Sequence, residues 1–433
     1  MINHLGLIGY GPMSKNISIN LIRKKIKISI FNKEKFFFKK KINILLTNCL
    51  NFFLKSFLKI KILLILIKTG KPVKIILIRL KNKLKNIDIV IDFGNSFYKN
   101  TFLNKKIIKK KINFISSGIS GGYEGALNGL CIMIDCKIKI FFKIFFLLKI
   151  LSTFYKKKYS FCLTKGIGSA HYLKMIHNGI EYGVLQLISE IYFLIKIIFN
   201  KKKILNILFF WNKKTINSYL LELLYNILIK KKKYICDVIE QKGTGRWMCL
   251  SSIKNFININ CIFEALIIRI ITKNKFYRNL IKINNLFFFI GNNFFFLEKI
   301  KKIYLFCNIL CYIQGFNQLI IFSKKYNWKF DFKNILKTFL KNCIIRSKLI
   351  FFLITFKKNF FFINKFFFLI KKYFFYLKEI IIFSLNKNIN LFLINSSYNF
   401  LLIIITKNYN FKIIQLQRNM FGNHIIKSYD KIS

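Results

Sequence analysis

An α/β amino-terminal domain followed by a large all-α domain and a short carboxyl-terminal tail is predicted by three features of the sequence. Short apolar runs alternate with helical patterns and Gly-rich turns up to residue 166, and long helical periodicities replace them from 167 to 405. A polar string carrying Arg418 and His424 then closes the chain, so 406–433 is read as a tail. At 433 residues the chain is long enough for two or three domains around a large core.

Composition narrows the partners less than its extremity suggests. The net charge is +61, which ordinarily points to nucleic acid or an anionic membrane. The lysines are scattered through every segment, however, and the enriched residues, Lys, Ile, Asn and Phe, are those with A- and T-rich codons. We therefore expect no specific nucleic-acid partner and no membrane, with adventitious polyanion binding as a side effect. The 10 Cys form no C-x-x-C pair and no cluster at zinc spacing, so reduced core thiols are expected and no metal site is indicated. The amino terminus opens on a strand-like run without the features of a signal peptide. Two uncharged runs, Ile303 to Ser323 and Asn388 to Thr406, have membrane-spanning length but carry several Asn, Gln or Ser, so they read as buried helices. The expected location is cytoplasmic.

In the first domain, His4 to Ile8 reads as a buried strand, followed by the turn Gly9-Tyr10-Gly11-Pro12-Met13-Ser14 and a helix over Lys15 to Arg23. A glycine turn between strand and helix lets backbone approach a pyrophosphate, which the free N–H groups of the helix start attract. This is the entry of a Rossmann-type domain, although Ser14 stands where the third glycine of the fingerprint belongs. Ile26 to Phe31 is the second strand, ending at Asn32-Lys33-Glu34, where such a fold reads the adenosine ribose. Asn32 with Lys33 favours a 2′-phosphate and hence NADP, while Glu34 argues the other way. Ile62 to Ile67 and Ile87 to Ile91 are further strands, leading to Lys68-Thr69-Gly70 and to Asp92-Phe93-Gly94-Asn95-Ser96. Ligands of a parallel sheet gather at the strands' carboxyl ends, so Lys68 and Asn95 are well placed, though Asn95 also suits a helix cap. Phe114 to Ser116 runs into Gly118-Ile119-Ser120-Gly121-Gly122-Tyr123-Glu124-Gly125, either a plain flexible turn or a place where N–H groups and a hydroxyl meet a carboxylate.

The second domain is organised around Lys174-Met175-Ile176-His177-Asn178-Gly179-Ile180-Glu181-Tyr182. At about 100° per residue, Lys174, His177, Asn178, Glu181 and Tyr182 share roughly 140° of one helix face. Leu173, Ile176, Ile180, Val184, Leu187, Ile191 and Leu194 form a core-facing stripe. A possible base, acid, imidazole, amide and phenol on one face stand out in a chain with 15 Asp plus Glu and 4 His. Helical Ser218 to Leu228 follows, then Gln241-Lys242-Gly243-Thr244-Gly245-Arg246-Trp247, a glycine-flanked cation suited to an anionic group or simply a solvated turn. Arg269 lies in an apolar helix, where either phosphate or an ion pair with Glu264 would satisfy it. Tyr312 to Phe316 and Cys343 to Ser347 read as packed helices, and 348 to 410 is nearly featureless Phe, Ile, Lys and Asn.

K-M-I-H-N-G-I-E-Y-G, Q-K-G-T-G-R-W and Q-L-Q-R-N-M-F-G-N-H, taken in order, resemble the 6-phosphogluconate dehydrogenase family. The similarity is close over 4–16, 87–128, 166–192, 211–269 and 412–424, and poor over 33–60, 270–300 and 348–405. The resemblance implies NADP-linked oxidation of 6-phospho-D-gluconate at C3 and decarboxylation to ribulose 5-phosphate, in the oxidative branch of the pentose phosphate pathway. It also implies a homodimer whose tail enters the neighbouring subunit's site. On that pattern Lys174 is the base and Glu181 the acid; Asn95, Ser120, Gly121, Gly122, His177 and Asn178 contact substrate. Tyr182, Lys242 and Arg269 take the phosphate with Arg418 and His424 of the neighbouring tail. Gly9, Tyr10, Gly11, Pro12, Met13, Ser14, Asn32, Lys33, Glu34, Ile67, Lys68, Thr69 and Asn95 hold NADP.

The chain departs from the family pattern at Ser14, Phe93, Tyr123 and Ala170, which bear on cofactor affinity and stability but remove no catalytic group. A related 3-hydroxy acid dehydrogenase is the enzymic alternative, though it has no need of Lys242, Arg269, Arg418 and His424. A decayed relative or a basic binding protein is the alternative from another class, favoured by lost motif residues or by clustered basic residues with interleaved aromatics.

Overall fold

The computed structural model describes residues 3–33, 39–41, 43–108, 112–230, 236–276, 294–355, 364–406 and 410–422. Its first half is built on a nine-stranded sheet, with β1 (His4–Ile8) and β5 (Ile62–Ile65) at the centre. From one edge the order is β11 (Phe161–Thr164), β8 (Cys131–Asp135), β7 (Asn113–Ser120), β6 (Ile89–Asp92), β5, β1, β2 (Lys27–Phe31), β4 (Ile44–Thr47) and β3 (Lys39–Lys41). A small hairpin of β9 (Phe154–Tyr155) and β10 (Lys158–Tyr159) stands apart. β5 and β6 are buried along their whole length. Strands covered on both faces read as unbroken Ile, Leu and Val runs rather than alternations.

Strands β7, β6, β5, β1, β2 and β4 run parallel, so their carboxyl ends open on one edge of the sheet. β8 pairs antiparallel with β7, setting Ser120 opposite Cys131. α1 (Pro12–Arg23), α5 (Gly122–Asn128) and α6 (Ile138–Leu151) cover one face through Ile17, Leu21, Ala126, Ile144 and Leu147. α2 (Leu50–Lys55) and α3 (Lys71–Leu80) cover the other through Phe53, Val73, Ile76, Leu77 and Leu80. Each of the larger side chains contributes about 1.5–3 kcal/mol when fully removed from water.

The second half is helical and is packed around α7 (Ser169–Ile198). The long helix Phe294–Lys325 lies along α7, joined by α10 (Thr244–Ile253), α11 (Asn260–Ile271) and the helix Phe392–Ile405. Leu173, Ile176, Ile180, Val184, Leu187, Ile191 and Leu194 of the expected stripe are all buried in this core. Among the described residues, Phe294–Lys325 alone has membrane-spanning length and hydropathy, and 78% of its apolar window is buried inside the protein.

Local differences from the sequence reading have physical causes. Pro12 begins α1, three residues earlier than the periodicity suggested, because its fixed φ suits the first helical turn. Cys343 to Ser347 is a turn and not a packed helix: Asn342 enters it at φ 49°, and Arg346 N–H donates to the Cys343 carbonyl. The stretch after 348, read as nearly featureless, contains the helices Leu349–Ile354 and Asn364–Asn386, and the expected buried run Asn388 to Thr406 holds the helix Phe392–Ile405.

Candidate active site

The predicted cofactor turn follows β1 directly. Gly9 sits at φ 103°, and its N–H donates to the Phe31 carbonyl at 2.8 Å. A Cβ there would lie 2.5 Å from the Leu66 carbonyl oxygen, so close approach of β1 and the β5 exit requires glycine. Gly11 precedes α1, whose first N–H groups have no side-chain cap, and a Cβ at Gly11 would meet nothing within 4 Å. This open cradle at a helix start fits a pyrophosphate. Ser14, the departure from the glycine pattern, is buried and donates its hydroxyl to the Gly9 carbonyl at 2.7 Å, bracing the turn it belongs to. Tyr10 and Met13 are partly buried and Pro12 is exposed.

The next contributions come from neighbouring strand ends. Asn32 donates its N–H to the Thr47 carbonyl at 3.1 Å, and Lys33 beside it is exposed. Glu34 lies outside the described residues. Ile67, Lys68 and Thr69 follow β5, with Lys68 exposed. Asn95 is exposed in the loop after β6, between neighbours that are tied down. Asp92 accepts from Gly94 N–H at 2.9 Å and from the Ser96 hydroxyl at 2.8 Å, which closes the loop around Asn95. Phe93 enters the sheet core, so its bulk points away from the site.

Lys174 emerges beside β7. A Cβ on Gly118 would lie 2.4 Å from Lys174 Cβ, so this strand glycine allows α7 to press the lysine against the sheet. The face read as reactive is therefore not a solvated one. Lys174, His177 and Asn178 are buried, and Glu181 and Tyr182 are half-buried. Burial lowers the Lys174 pKa from its ordinary value, partly opposed by Glu181 and the Cys343 and Cys131 thiols. His177 Nδ1 is 3.3 Å from Lys174 Nζ, 3.2 Å from Asn178 Oδ1 and 3.8 Å from Glu181 Oε2. Its Nε2 is 3.0 Å from both Ser120 Oγ and Cys343 Sγ. Ser120 Oγ also accepts from Ile344 N–H at 3.2 Å, which brings the 343–346 turn to the site. Gly121 and Gly122, at φ 121° and 58°, open α5 immediately after Ser120.

A second cationic group flanks this cluster. Arg269 is buried, with its guanidinium 3.9 Å from the centroid of the Tyr182 ring. Its Nε has no hydrogen-bond partner, and among the described residues it forms no ion pair with Glu264. A buried guanidinium with an unspent donor suits a phosphate. Lys242 is exposed just before α10, where Gly243 at φ 91° turns the chain into the helix. Arg418 lies in the helix Phe411–Gly422, exposed, with Gln415 Oε1 at 3.5 Å. No residue of that helix is buried, and His424 lies outside the described residues.

Four supports were not read from the sequence. Asp135, at the end of β8, accepts from Ser116 N–H at 3.0 Å and Gly168 N–H at 2.7 Å, fixing the start of α7 against the sheet. His171 connects α7 to the Asp92 loop and to Thr101, and Cys343 reaches His177 from 166 residues away. Partners so distant in sequence carry no local signal.

Comparison with known proteins places the chain in a family. Residues 4–164 match the NAD binding domain of 6-phosphogluconate dehydrogenase, and residues 170–433 match the 6-phosphogluconate dehydrogenase C-terminal domain. The chain belongs to the 6-phosphogluconate dehydrogenase family. A decarboxylating 6-phosphogluconate dehydrogenase from Buchnera aphidicola subsp. Acyrthosiphon pisum is 32% identical over 79% of this chain and 78% of its own. The enzyme of that name from Buchnera aphidicola subsp. Baizongia pistaciae is also 32% identical, over 99% of this chain and 97% of its own. Plasmodium falciparum 6-phosphogluconate dehydrogenase, solved in apo form and in complexes with its cofactor NADP+ and its substrate 6-phosphogluconate, superposes with a TM-score of 0.88. That match has 26% identity and covers 99% of this chain and 98% of the Plasmodium one. The α/β dinucleotide-binding domain followed by a helical domain, expected from sequence, is thus the fold of the family.

Proposed function

We propose that this chain catalyses the NADP-dependent oxidative decarboxylation of 6-phospho-D-gluconate to D-ribulose 5-phosphate and carbon dioxide. The observation that carries the reading is the buried Lys174–His177–Ser120 cluster, flanked by an Arg269 with an unspent donor, in a member of this family. The Gly9–Ser14 turn, Asn32, Lys33, Ile67 to Thr69 and Asn95 hold the cofactor along the carboxyl edge of the sheet. Held there, NADP would supply the hydride acceptor for oxidation at substrate C3.

Lys174, whose charged form burial disfavours, takes the C3 hydroxyl proton as the C3–H bond breaks. The ammonium so formed hydrogen-bonds the new C3 carbonyl. As the bond from C2 to the carboxylate carbon breaks and carbon dioxide leaves, the electron pair flows toward that carbonyl, and Lys174 returns the proton to its oxygen. Glu181 then protonates the carbon that lost the carboxylate, which becomes C1 of ribulose 5-phosphate, while the enol hydroxyl gives its proton back to Lys174 and the carbonyl re-forms. Ser120, Gly121, Gly122, His177 and Asn178 orient the carboxylate and hydroxyls; Tyr182, Lys242 and Arg269 take the phosphate.

In this reading the chain divides at 1–166, 167–405 and 406–433, supported by the end of β11 at Thr164 and the start of α7 at Ser169. The enzyme is a cytoplasmic homodimer. Exposed Ile413, Ile414, Leu416, Met420 and Phe421 on the last helix support a tail that docks on a neighbouring subunit and brings Arg418 and His424 to its phosphate site. The test is to supply 6-phosphogluconate and 3-hydroxyisobutyrate separately, measuring nucleotide reduction and carbon dioxide release, with Arg269→Met alongside. Release of one carbon dioxide per nucleotide from the phosphorylated acid alone, with KM raised in Arg269→Met, supports the reading. Preference for the unphosphorylated acid without carbon dioxide makes the chain a 3-hydroxy acid dehydrogenase instead.

A further inference from the structure

His171 stands three residues before Lys174 on α7, and both of its ring nitrogens are engaged with the Rossmann-type domain. Nε2 is 3.2 Å from the Asp92 backbone carbonyl and 3.9 Å from Asp92 Oδ2. Nδ1 is 2.8 Å from the Thr101 hydroxyl on α4 (Tyr98–Ile107). A carbonyl can only accept, so Nε2 carries a proton, and in the neutral ring Nδ1 accepts from Thr101. The three groups are buried, with His171 2%, Asp92 0% and Thr101 1% exposed, so these bonds form where water cannot replace them.

What the clasp holds is specific. Asp92 ends β6 and closes the loop on both sides of Asn95 through Gly94 and Ser96, leaving Asn95 as the exposed residue at its apex. The same loop touches the β5 exit, since a Cβ on Gly94 would lie 3.4 Å from Thr69 Cγ2. The imidazole therefore links the helix bearing Lys174 to the loop bearing Asn95, across the junction between the two halves of the chain. Tyr98 against Tyr172, ring centroids 4.9 Å apart, packs the same two helices but fixes no polar register.

We propose that His171 is a positioning residue for hydride transfer: clasping Asp92 and Thr101, it sets the distance between the Asn95 loop, where the nicotinamide end of the cofactor must lie, and Lys174. The inference rests on the assignment of Asn95 and Lys174 to the reacting site. Loosening the clasp leaves both binding surfaces intact and misaligns donor and acceptor, so kcat suffers while cofactor affinity does not. Misplacements of about 1 Å cost up to about 100-fold in rate.

The experiment measures kcat, KM for NADP and the primary deuterium isotope effect with C3-deuterated 6-phosphogluconate in full-length wild type, His171→Leu, His171→Gln and Thr101→Val. The expected result is a kcat loss on the order of tenfold in His171→Leu, with KM for NADP changed less than about twofold and a larger isotope effect as hydride transfer becomes limiting. Thr101→Val follows in the same direction to a smaller extent, and His171→Gln, which keeps an N–H donor, recovers part of the rate. If His171→Leu does not fold, Thr101→Val decides. Wild-type kcat and isotope effect in a folded Thr101→Val or His171→Leu overturn the proposal. Asn95→Ala and Lys174→Met separate the two levels: full activity in these sinks the site assignment itself, whereas their inactivity beside unaltered His171 and Thr101 variants sinks the clasp alone.

Discussion

Replacing Gly118 by alanine tests whether the sheet sets the position of the base. The added Cβ would lie 2.4 Å from Lys174 Cβ, 3.0 Å from its Cγ and 3.2 Å from the Ala170 carbonyl, whereas ordinary contacts begin at 3.4 Å. About 1 Å must therefore be found at the tightest contact. β7 is bonded to β6 and β8 on its two sides and Ala170 is fully buried, so neither wall yields freely. Overpacking of this kind costs about 1–3 kcal/mol of stability, and a shift of about 1 Å at the reacting group costs up to about 100-fold in rate. Thermal unfolding, NADP binding and kcat/KM for 6-phosphogluconate are to be compared with wild type. The expected variant binds NADP normally, because β7 lies three strands away from β1, which leads into the Gly9–Ser14 turn, yet turns over at least about tenfold more slowly. A folded Gly118→Ala enzyme with wild-type kcat would refute the claim that this contact locates Lys174.

The remaining predictions address cofactor and pH. Gly11→Ala is expected to fold with unchanged stability, since its Cβ meets nothing within 4 Å and φ is −78°, but to raise the NADP dissociation constant by filling the cradle; unaltered affinity by titration would place the pyrophosphate elsewhere. Glu190 is buried and accepts from Leu393 and Ile394 N–H at the start of Phe392–Ile405, and burial raises its pKa from 4.5 to about 7. A carboxyl held protonated more strongly when folded contributes stability that is fully present below about pH 4.5 and lost as pH rises to about 7. Thermal melts between pH 5 and 8 should show this decline in wild type and a flatter profile in Glu190→Gln; parallel profiles would contradict it. Because burial also lowers the Lys174 pKa, the acid limb of kcat/KM should lie below the range of a free lysine, and a limb at the ordinary lysine value would contradict the neutral-base reading.

Much of the site was legible because its residues fall within short strings. Lys174, His177, Asn178, Glu181 and Tyr182 share one helix face at fixed spacing, and Gly9 to Ser14 join one strand to one helix. The parallel strands β1, β2, β5 and β6 announced themselves as apolar runs between turns, whereas β4 and β11 did not. What escaped notice depends on pairing across the fold. Gly118 looked like part of a flexible turn, yet it is a strand residue whose missing side chain admits α7. Cys343, Asp92, Asp135 and His171 resembled ordinary core residues until their partners were known. How deeply the Lys174 face is buried was not legible either, because amphipathic spacing cannot distinguish a face turned to solvent from one turned to a buried polar cleft. The antiparallel β8 and the individual helices Leu349–Ile354 and Asn364–Asn386 were not singled out in a Phe-, Ile-, Lys- and Asn-rich background.

The most direct test is NADPH formation from 6-phosphogluconate by the full-length protein, with NAD in parallel and Lys174→Met as control. The account predicts steady nucleotide reduction with NADP preferred, accumulation of ribulose 5-phosphate, and loss of both in the folded mutant. Undiminished turnover in Lys174→Met would remove the lysine from its role, and a folded wild-type protein that binds neither nucleotide nor substrate would contradict the catalytic reading as a whole.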